Sequence, residues 1–185
     1  MYYPITIAEL ERNLPLCKLN DELFIAAFVI FGDAPLTVAC AKELLEKTAE
    51  LNYDYVITAE AKGIPLAHEM ARQRGDETYF VARKVPKLYM TGVFEVSVQS
   101  ITTEKEQKLF LDTAEAEKMR GKRILIVDDV ISTGESLKAV EALVNAAGGI
   151  IAGKAAILAE GDAAKRRDIT FLQGLPLFNI YGNPI

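Results

Sequence analysis

Two adjacent carboxylates, Asp128 and Asp129, follow the apolar run Ile124-Leu125-Ile126-Val127. After them come Val130, Ile131 and a small, hydroxyl-bearing stretch, Ser132, Thr133, Gly134, Glu135 and Ser136. Neighbouring carboxylates repel each other and lose hydration at a sheet edge, and they become tolerable when polyhydroxyl groups or a cation share the site. The stretch that follows leads into a helix. Free amides, hydroxyls and the positive end of the helix dipole then make an anion site. Gly134 lets the backbone come close to such a ligand. One segment therefore offers carboxylates for vicinal hydroxyls and a cradle for a phosphate, the layout of a sugar phosphate. A purely structural reading covers part of this, because Ser132-Thr133-Gly134-Glu135 matches the capping box Ser/Thr-x-x-Glu. It leaves the two aspartates unexplained, at the strand edge where open α/β sheets bind ligands.

Other reactive residues are few. The chain has one histidine, His68, so histidine metal sites and Ser-His triads are nearly excluded and His68 is assigned no chemistry. Cys17 and Cys40 are far apart and form no metal-ligand spacing, which fits a reduced, cytoplasmic setting. Neither GxxxxGK[ST] nor GxGxxG is present. Lys165-Arg166-Arg167 sits beside Asp162 and Asp168 and reads as a solvated face.

These residues need elements to hold them. Ala34–Leu51 carries Leu36, Cys40, Leu44 and Leu45 at helical spacing. Tyr55–Thr58 reads as a strand, Glu60-Ala61-Lys62-Gly63 as a turn, and Pro65 as the first turn of a helix reaching Arg74. Thr78–Ala82 is strand-like. Four consecutive apolar residues at Ile124–Val127 suit a strand covered on both faces. From Glu135 onward Leu137, Val140, Leu143, Val144 and Ala147 share one helical face, and Gly148-Gly149 stops the helix. Ala155–Leu158 is a further buried strand. This β-α-β alternation predicts a parallel α/β sheet. Leu23–Phe31 reads as a buried strand, far short of the ~18 apolar residues of a spanning helix. Val85–Lys108 breaks the alternation. Val93–Val98 within it alternates as a ribbon does, and a long excursion of this kind suggests a functional lid.

The 185 residues suit one domain with a full core, and half of them are hydrophobic. The formal net charge of -5 comes with no basic stripe, which argues against nucleic acid as a partner. No signal peptide or membrane segment is expected.

The segment Ile124-Leu-Ile-Val-Asp128-Asp129-Val-Ile-Ser-Thr133-Gly134-Glu-Ser136 resembles the signature of the type I phosphoribosyltransferases: an apolar strand, two acidic residues, then Thr-Gly-x-Ser/Thr. The resemblance runs roughly from Leu36 to Gly161. It implies a parallel (Rossmann-like) sheet flanked by helices, with a small hood from about 1–33 and the C-terminal region, and a flexible flap over about 86–107. It also implies that Asp128 and Asp129 meet the ribose hydroxyls of phosphoribosyl pyrophosphate (PRPP), while Val130–Ser136 hold its 5-phosphate. Ala61, Lys62 and Gly63 match the family's pyrophosphate loop, and Arg83, Lys84 and Lys87 would add charge for the departing diphosphate. Mg2+ would be held through PRPP, with no direct protein ligand. Phe28, Phe31 and Glu160 are candidates for the base.

The Arg83-Lys84 pair resembles the adenine and xanthine branch. The absence of a Lys-Asp-His-Gly run, and Asp-Asp where the hypoxanthine-guanine branch has Glu-Asp, point the same way. The function implied is a purine phosphoribosyltransferase acting on adenine first and xanthine next, as a homodimer. Adenine enzymes carry a glutamate in the flap where Thr102 stands here, with Glu104 nearby. The alternative is a non-catalytic PRPP-binding regulator related to purine-operon regulators.

Overall fold

The computed structural model describes residues 1–99 and 106–185. The chain opens with three antiparallel strands, β1 (Tyr2–Ile7), β2 (Leu10–Lys18) and β3 (Phe24–Ala26). Helix α1 (Ala34–Lys47) leads to β4 (Tyr55–Ala59), α2 (Ile64–Arg74) and β5 (Phe80–Ala82). An antiparallel ribbon, β6 (Val93–Gln99) and β7 (Glu106–Asp112), runs into α3 (Thr113–Met119). Then come β8 (Arg123–Ile131), α4 (Glu135–Ala146), β9 (Ile150–Glu160) and β10 (Thr170–Leu175). Five strands form one parallel sheet in the order β10-β9-β8-β4-β5, as the β-α-β alternation predicts.

The unbroken apolar run of β8 has a use for each residue. Leu125 and Val127 join the core that holds Leu36 and Leu44 of α1 with Leu66 and Met70 of α2. Ile124 and Ile126 join the second core, with Leu137, Val140 and Val144 of α4 and Met119 of α3. All four β8 residues are essentially inaccessible. Burial of this completeness contributes about 1.5–3 kcal/mol per large aliphatic side chain.

Three expectations change. Leu23–Phe31 is not one strand: only Phe24–Ala26 pairs, while Phe28 and Ile30 are buried without a ladder. The helix begun at Ala34 stops at Lys47, and Ala49–Leu51 is a separate 3-10 turn. The strand read as Ile124–Val127 continues to Ile131, because Asp128, Val130 and Ile131 still pair with Ala156, Leu158 and Ala159 of β9.

The first sheet is tied to the far end of the chain. Phe24 and Phe178 exchange both backbone hydrogen bonds, at 2.8 and 3.0 Å. Arg12 of β2 forks onto Asp33, the N-cap of α1, with Nε and Nη2 donating at 2.6 and 3.0 Å.

Candidate active site

From β4 the sheet grows in two directions, to β5 on one side and to β8, β9 and β10 on the other. Such a switch point leaves a crevice outside the carboxyl ends of the two central strands. The turn 60–63 after β4 reaches Asp128 and Asp129 there, and the loop 132–134 follows the end of β8. β4 pairs with β8 only from Tyr55–Ile57 to Ile124–Ile126, whereas β8 pairs with β9 to its end. Asp128 and Asp129 therefore lie where β8 outruns β4, with β9 on one flank and the 60–63 turn on the other.

Asp129 is 3% exposed. The Lys62 ammonium lies 3.1 Å from its Oδ2, an ion pair whose angles give that oxygen no hydrogen bond. The Asp129 amide donates to Asp128 Oδ1 at 2.8 Å. Burial, and then the Asp129 charge, push the Asp128 carboxyl well above the ordinary range, and Lys62 only partly opposes them. Gly63 comes against the same carboxylate: a β-carbon there would sit 3.3 Å from Asp128 Oδ1 and would overlap Thr58 Oγ1. The Glu60–Ala61 peptide is cis.

On the other side of the crevice, α4 starts at Glu135 with Gly134 as its N-cap, in a left-handed conformation at φ 80°. No side chain caps this helix. The Ser132–Glu135 capping box is thus not formed, and the structural reading of those residues fails. Thr133 Oγ1 comes only to 3.5 Å from the Glu135 amide, the limit of a hydrogen bond. A reciprocal capping box does exist at Asp112 and Glu115 of α3. Asp128, Val130, Ile131, Ser132, Thr133, Gly134, Glu135, Ser136 and Leu137 enclose a cavity of about 40 Å³. Of the two aspartates predicted to act with the hydroxyl loop, Asp128 shares this hollow with it and Asp129 does not line it. A larger cavity of about 300 Å³ adjoins Ser136, Lys84, Ala59 and Lys108.

The basic group is brought together, but around a residue that sequence reasoning passed over. Glu60 Oε1 lies 3.2 Å from Lys87 Nζ and 3.7 Å from Arg83 Nη1, and its Oε2 accepts from the Lys84 amide at 3.1 Å. Burial would raise the Glu60 carboxyl, but the Lys84 amide, Lys87 and Arg83 outweigh it and hold the carboxyl below its ordinary range. Its signal in the sequence was its place at the end of a strand, one residue before Ala61-Lys62-Gly63.

Glu160 ends β9 and is raised by burial, against the nearby Lys62 charge. Phe28 is 4% exposed and belongs to the core, so its ring is not available to stack on a base, whereas Phe31 is 50% exposed. His68 is exposed and meets Tyr79 edge-on. Thr102 and Glu104 lie outside the described residues. Among the described residues no group of three or more His, Cys, Asp or Glu side chains is placed to hold a metal ion. No helix among them is long and apolar enough to cross a membrane.

The model of the phosphoribosyl transferase domain matches residues 34–180, which include every element around the crevice. A hypoxanthine/guanine phosphoribosyltransferase of Methanococcus voltae is 36% identical over 166 residues, 88% of this chain and 84% of that protein. A hypoxanthine/guanine phosphoribosyltransferase of Methanocella paludicola is 33% identical over 128 residues, which are 69% of this chain but only 61% of the relative. In fold, the adenine phosphoribosyltransferase of Thermoanaerobacter pseudethanolicus superposes with a TM-score of 0.65 at 21% identity, over 78% of this chain and 84% of that one. The family model spans well over half of the chain and takes in both loops of the crevice, and the chain belongs to the phosphoribosyl transferase family.

Proposed function

We propose that this chain transfers the 5-phosphoribosyl group of PRPP to a ring nitrogen of a purine base, releasing pyrophosphate. The observation that carries the reading is the placement of Asp128 and Asp129 at the point where β8 outruns β4, between the uncapped start of α4 and Lys62. The base nitrogen attacks the anomeric carbon as the bond from that carbon to the diphosphate oxygen breaks, positive charge grows on the ring, and the proton of the base nitrogen leaves with the released diphosphate. Asp128 and Asp129 accept from the ribose hydroxyls and favour that charge. The α4 amides and the Thr133 and Ser136 hydroxyls hold the 5-phosphate. Lys62 and the amides at the start of α2 receive the leaving diphosphate, with Arg83, Lys84 and Lys87 beside them. Holding reactants in register and offering fixed charge are the main contributions expected of such a site.

Mg2+ enters this reading as a partner of the co-substrate. This ion binds through one or two carboxylates plus substrate phosphates and keeps several waters. The ion would be held through PRPP with no direct protein ligand, and it would supply charge neutralisation on the diphosphate. Residues 1–33 with the C-terminal segment form the hood in this reading, residues 86–107 form the flap, and Phe31 and Glu160 face the base. The working form is a cytoplasmic homodimer.

Adenine is the acceptor that the residue pattern favours. The relatives named hypoxanthine/guanine phosphoribosyltransferases favour 6-oxopurines. Protein, PRPP and Mg2+ incubated with adenine, xanthine, hypoxanthine, guanine and orotate should yield nucleotide with at least one purine and none with orotate. Saturable PRPP binding without nucleotide from any base would replace the enzyme with a regulator.

A further inference from the structure

Arg166, which reads from sequence as part of a solvated basic run, is turned inward instead. It follows the 3-10 turn Gly161–Lys165, and its side chain is 29% exposed. A β-carbon on Gly134 would stand 2.6 Å from Arg166 Nη1, so the guanidinium tip lies directly against the N-cap of α4. The orientation is imposed from the other side. Arg166 Nε and Nη2 donate to Asp168 Oδ1 and Oδ2 at 2.9 and 2.7 Å, a two-pronged pair that directs the remaining nitrogen, Nη1, at the loop. Asp168 is in turn held by Lys154 Nζ at 2.7 Å, and Lys154 by Glu141 of α4 at 2.6 Å. The chain of contacts thus starts on α4, crosses β9, and returns to the first residue before α4. Its two flanking residues in sequence behave as expected of a solvated face: Lys165 pairs with exposed Asp162, and Arg167 is exposed.

We propose that Arg166 is a positioning residue of the 5-phosphate loop. Its planar fork is fixed by Asp168, and Nη1 sets the place of Gly134 and supplies a standing positive charge behind the phosphate cradle. Arg166 does not line the cavity formed by Asp128 and residues 130–137, so it acts through the loop and not on the ligand directly. A fixed guanidinium does this better than lysine, because two nitrogens are committed to orientation and one is left to act. It also gives Gly134 a second reason to be glycine: besides its left-handed φ, a side chain would displace the arginine.

The inference rests on the proposed function, and its test separates the two. Titration calorimetry would compare wild type, R166A and D168N with three probes: Mg2+–PRPP, ribose 5-phosphate and inorganic pyrophosphate. R166A should lose about tenfold in affinity for PRPP and for ribose 5-phosphate, because the loop loses the guanidinium that fixes Gly134. Pyrophosphate, which lacks the 5-phosphate, should bind as before. D168N should lose affinity for the same two ligands, because the arginine is intact but no longer aimed. Equal affinity of R166A and wild type for ribose 5-phosphate overturns the proposal, as does an equal loss for pyrophosphate, which would mark general damage. Should R166A fail to fold, R166Q keeps the stem and a donor and carries the same comparison. A wild type that binds neither PRPP nor ribose 5-phosphate overturns the proposed function and this inference with it.

Discussion

Asp128 and Gly63 show how much of the site is decided within a few ångströms. The Asp128 carboxyl is raised by burial and by Asp129, so the fold favours its protonated form. The sign follows from linkage: a carboxyl raised in the folded state stabilises the fold while it is protonated and ceases to do so once it ionises. For Asp128 the window runs from the ordinary carboxylate range up to about 7. Asp128→Asn keeps the oxygen that accepts from the Asp129 amide and cannot ionise. We expect its thermal stability relative to wild type to rise between pH 5 and pH 8, by on the order of 2 kcal/mol at the upper end, with turnover lost. A stability difference that is flat with pH would show that Asp128 is not strained by its charge. Gly63 makes the complementary point about space. Thr58 is fully buried, so its hydroxyl has little room to yield to a methyl at Gly63. Gly63→Ala should cost about 1–3 kcal/mol. Adding Thr58→Ala removes the overlapping atom and should recover about 1 kcal/mol in a double-mutant cycle read by chemical denaturation.

At the scale of elements, α1 and α4 begin in opposite ways, and the difference separates support from function. Asp33 caps α1 by accepting from the Leu36 amide at 3.2 Å and also takes the Arg12 fork from β2. Asp33→Asn keeps a cap and loses the ion pair, and should cost at most about 1 kcal/mol. Asp33→Ala loses both and should cost about 1–2 kcal/mol more, measured as the denaturant midpoint at constant slope. Equal losses for the two variants would mean that the cap contributes nothing. α4 has Gly134 at its N-cap and no side-chain cap.

This contrast also explains what could be read from the sequence. The β8–α4 unit was legible because a continuous apolar run and a 3.6-residue stripe are local signals. The extension of β8 through Asp128 and Asp129 was not, since it depends on pairing with Ala156 and Leu158, far along the chain. Ser132 was misread as a cap because the letters fit, while the backbone turns at Gly134 instead. Leu23–Phe31 was misread as a strand because apolar residues packed under a loop look the same as those in a ladder. Arg166 looked solvated because its acidic neighbours in sequence suggest water, when Asp168 is what aims it inward. Glu60 could not be assigned from sequence, since its partners at Arg83, Lys84 and Lys87 reach it only through the β4–β5 pairing.

For the whole molecule, the decisive property is that no single element makes the proposed site. The 60–63 turn comes from β4 and α2, the basic group follows β5, the acidic pair and hydroxyl loop belong to β8 and α4, and Glu160 ends β9. A ligand that bridges these pieces must therefore stabilise the sheet as a unit and not one loop. Ligand present at a hundred times its Kd should stabilise the folded state by about 2.7 kcal/mol. For a chain of this size that corresponds to a rise in Tm of roughly 5–10 °C. Calorimetric unfolding in Mg2+–PRPP should show a single transition displaced by that amount, and ribose 5-phosphate or pyrophosphate alone should each displace it less. A bound ligand that moved only a minor, early phase would show that the two loops open independently of the sheet. A transition unmoved by PRPP with Mg2+ at any concentration would remove the donor site itself, because a ligand that engages β4, β8 and β9 together cannot leave their joint unfolding where it was.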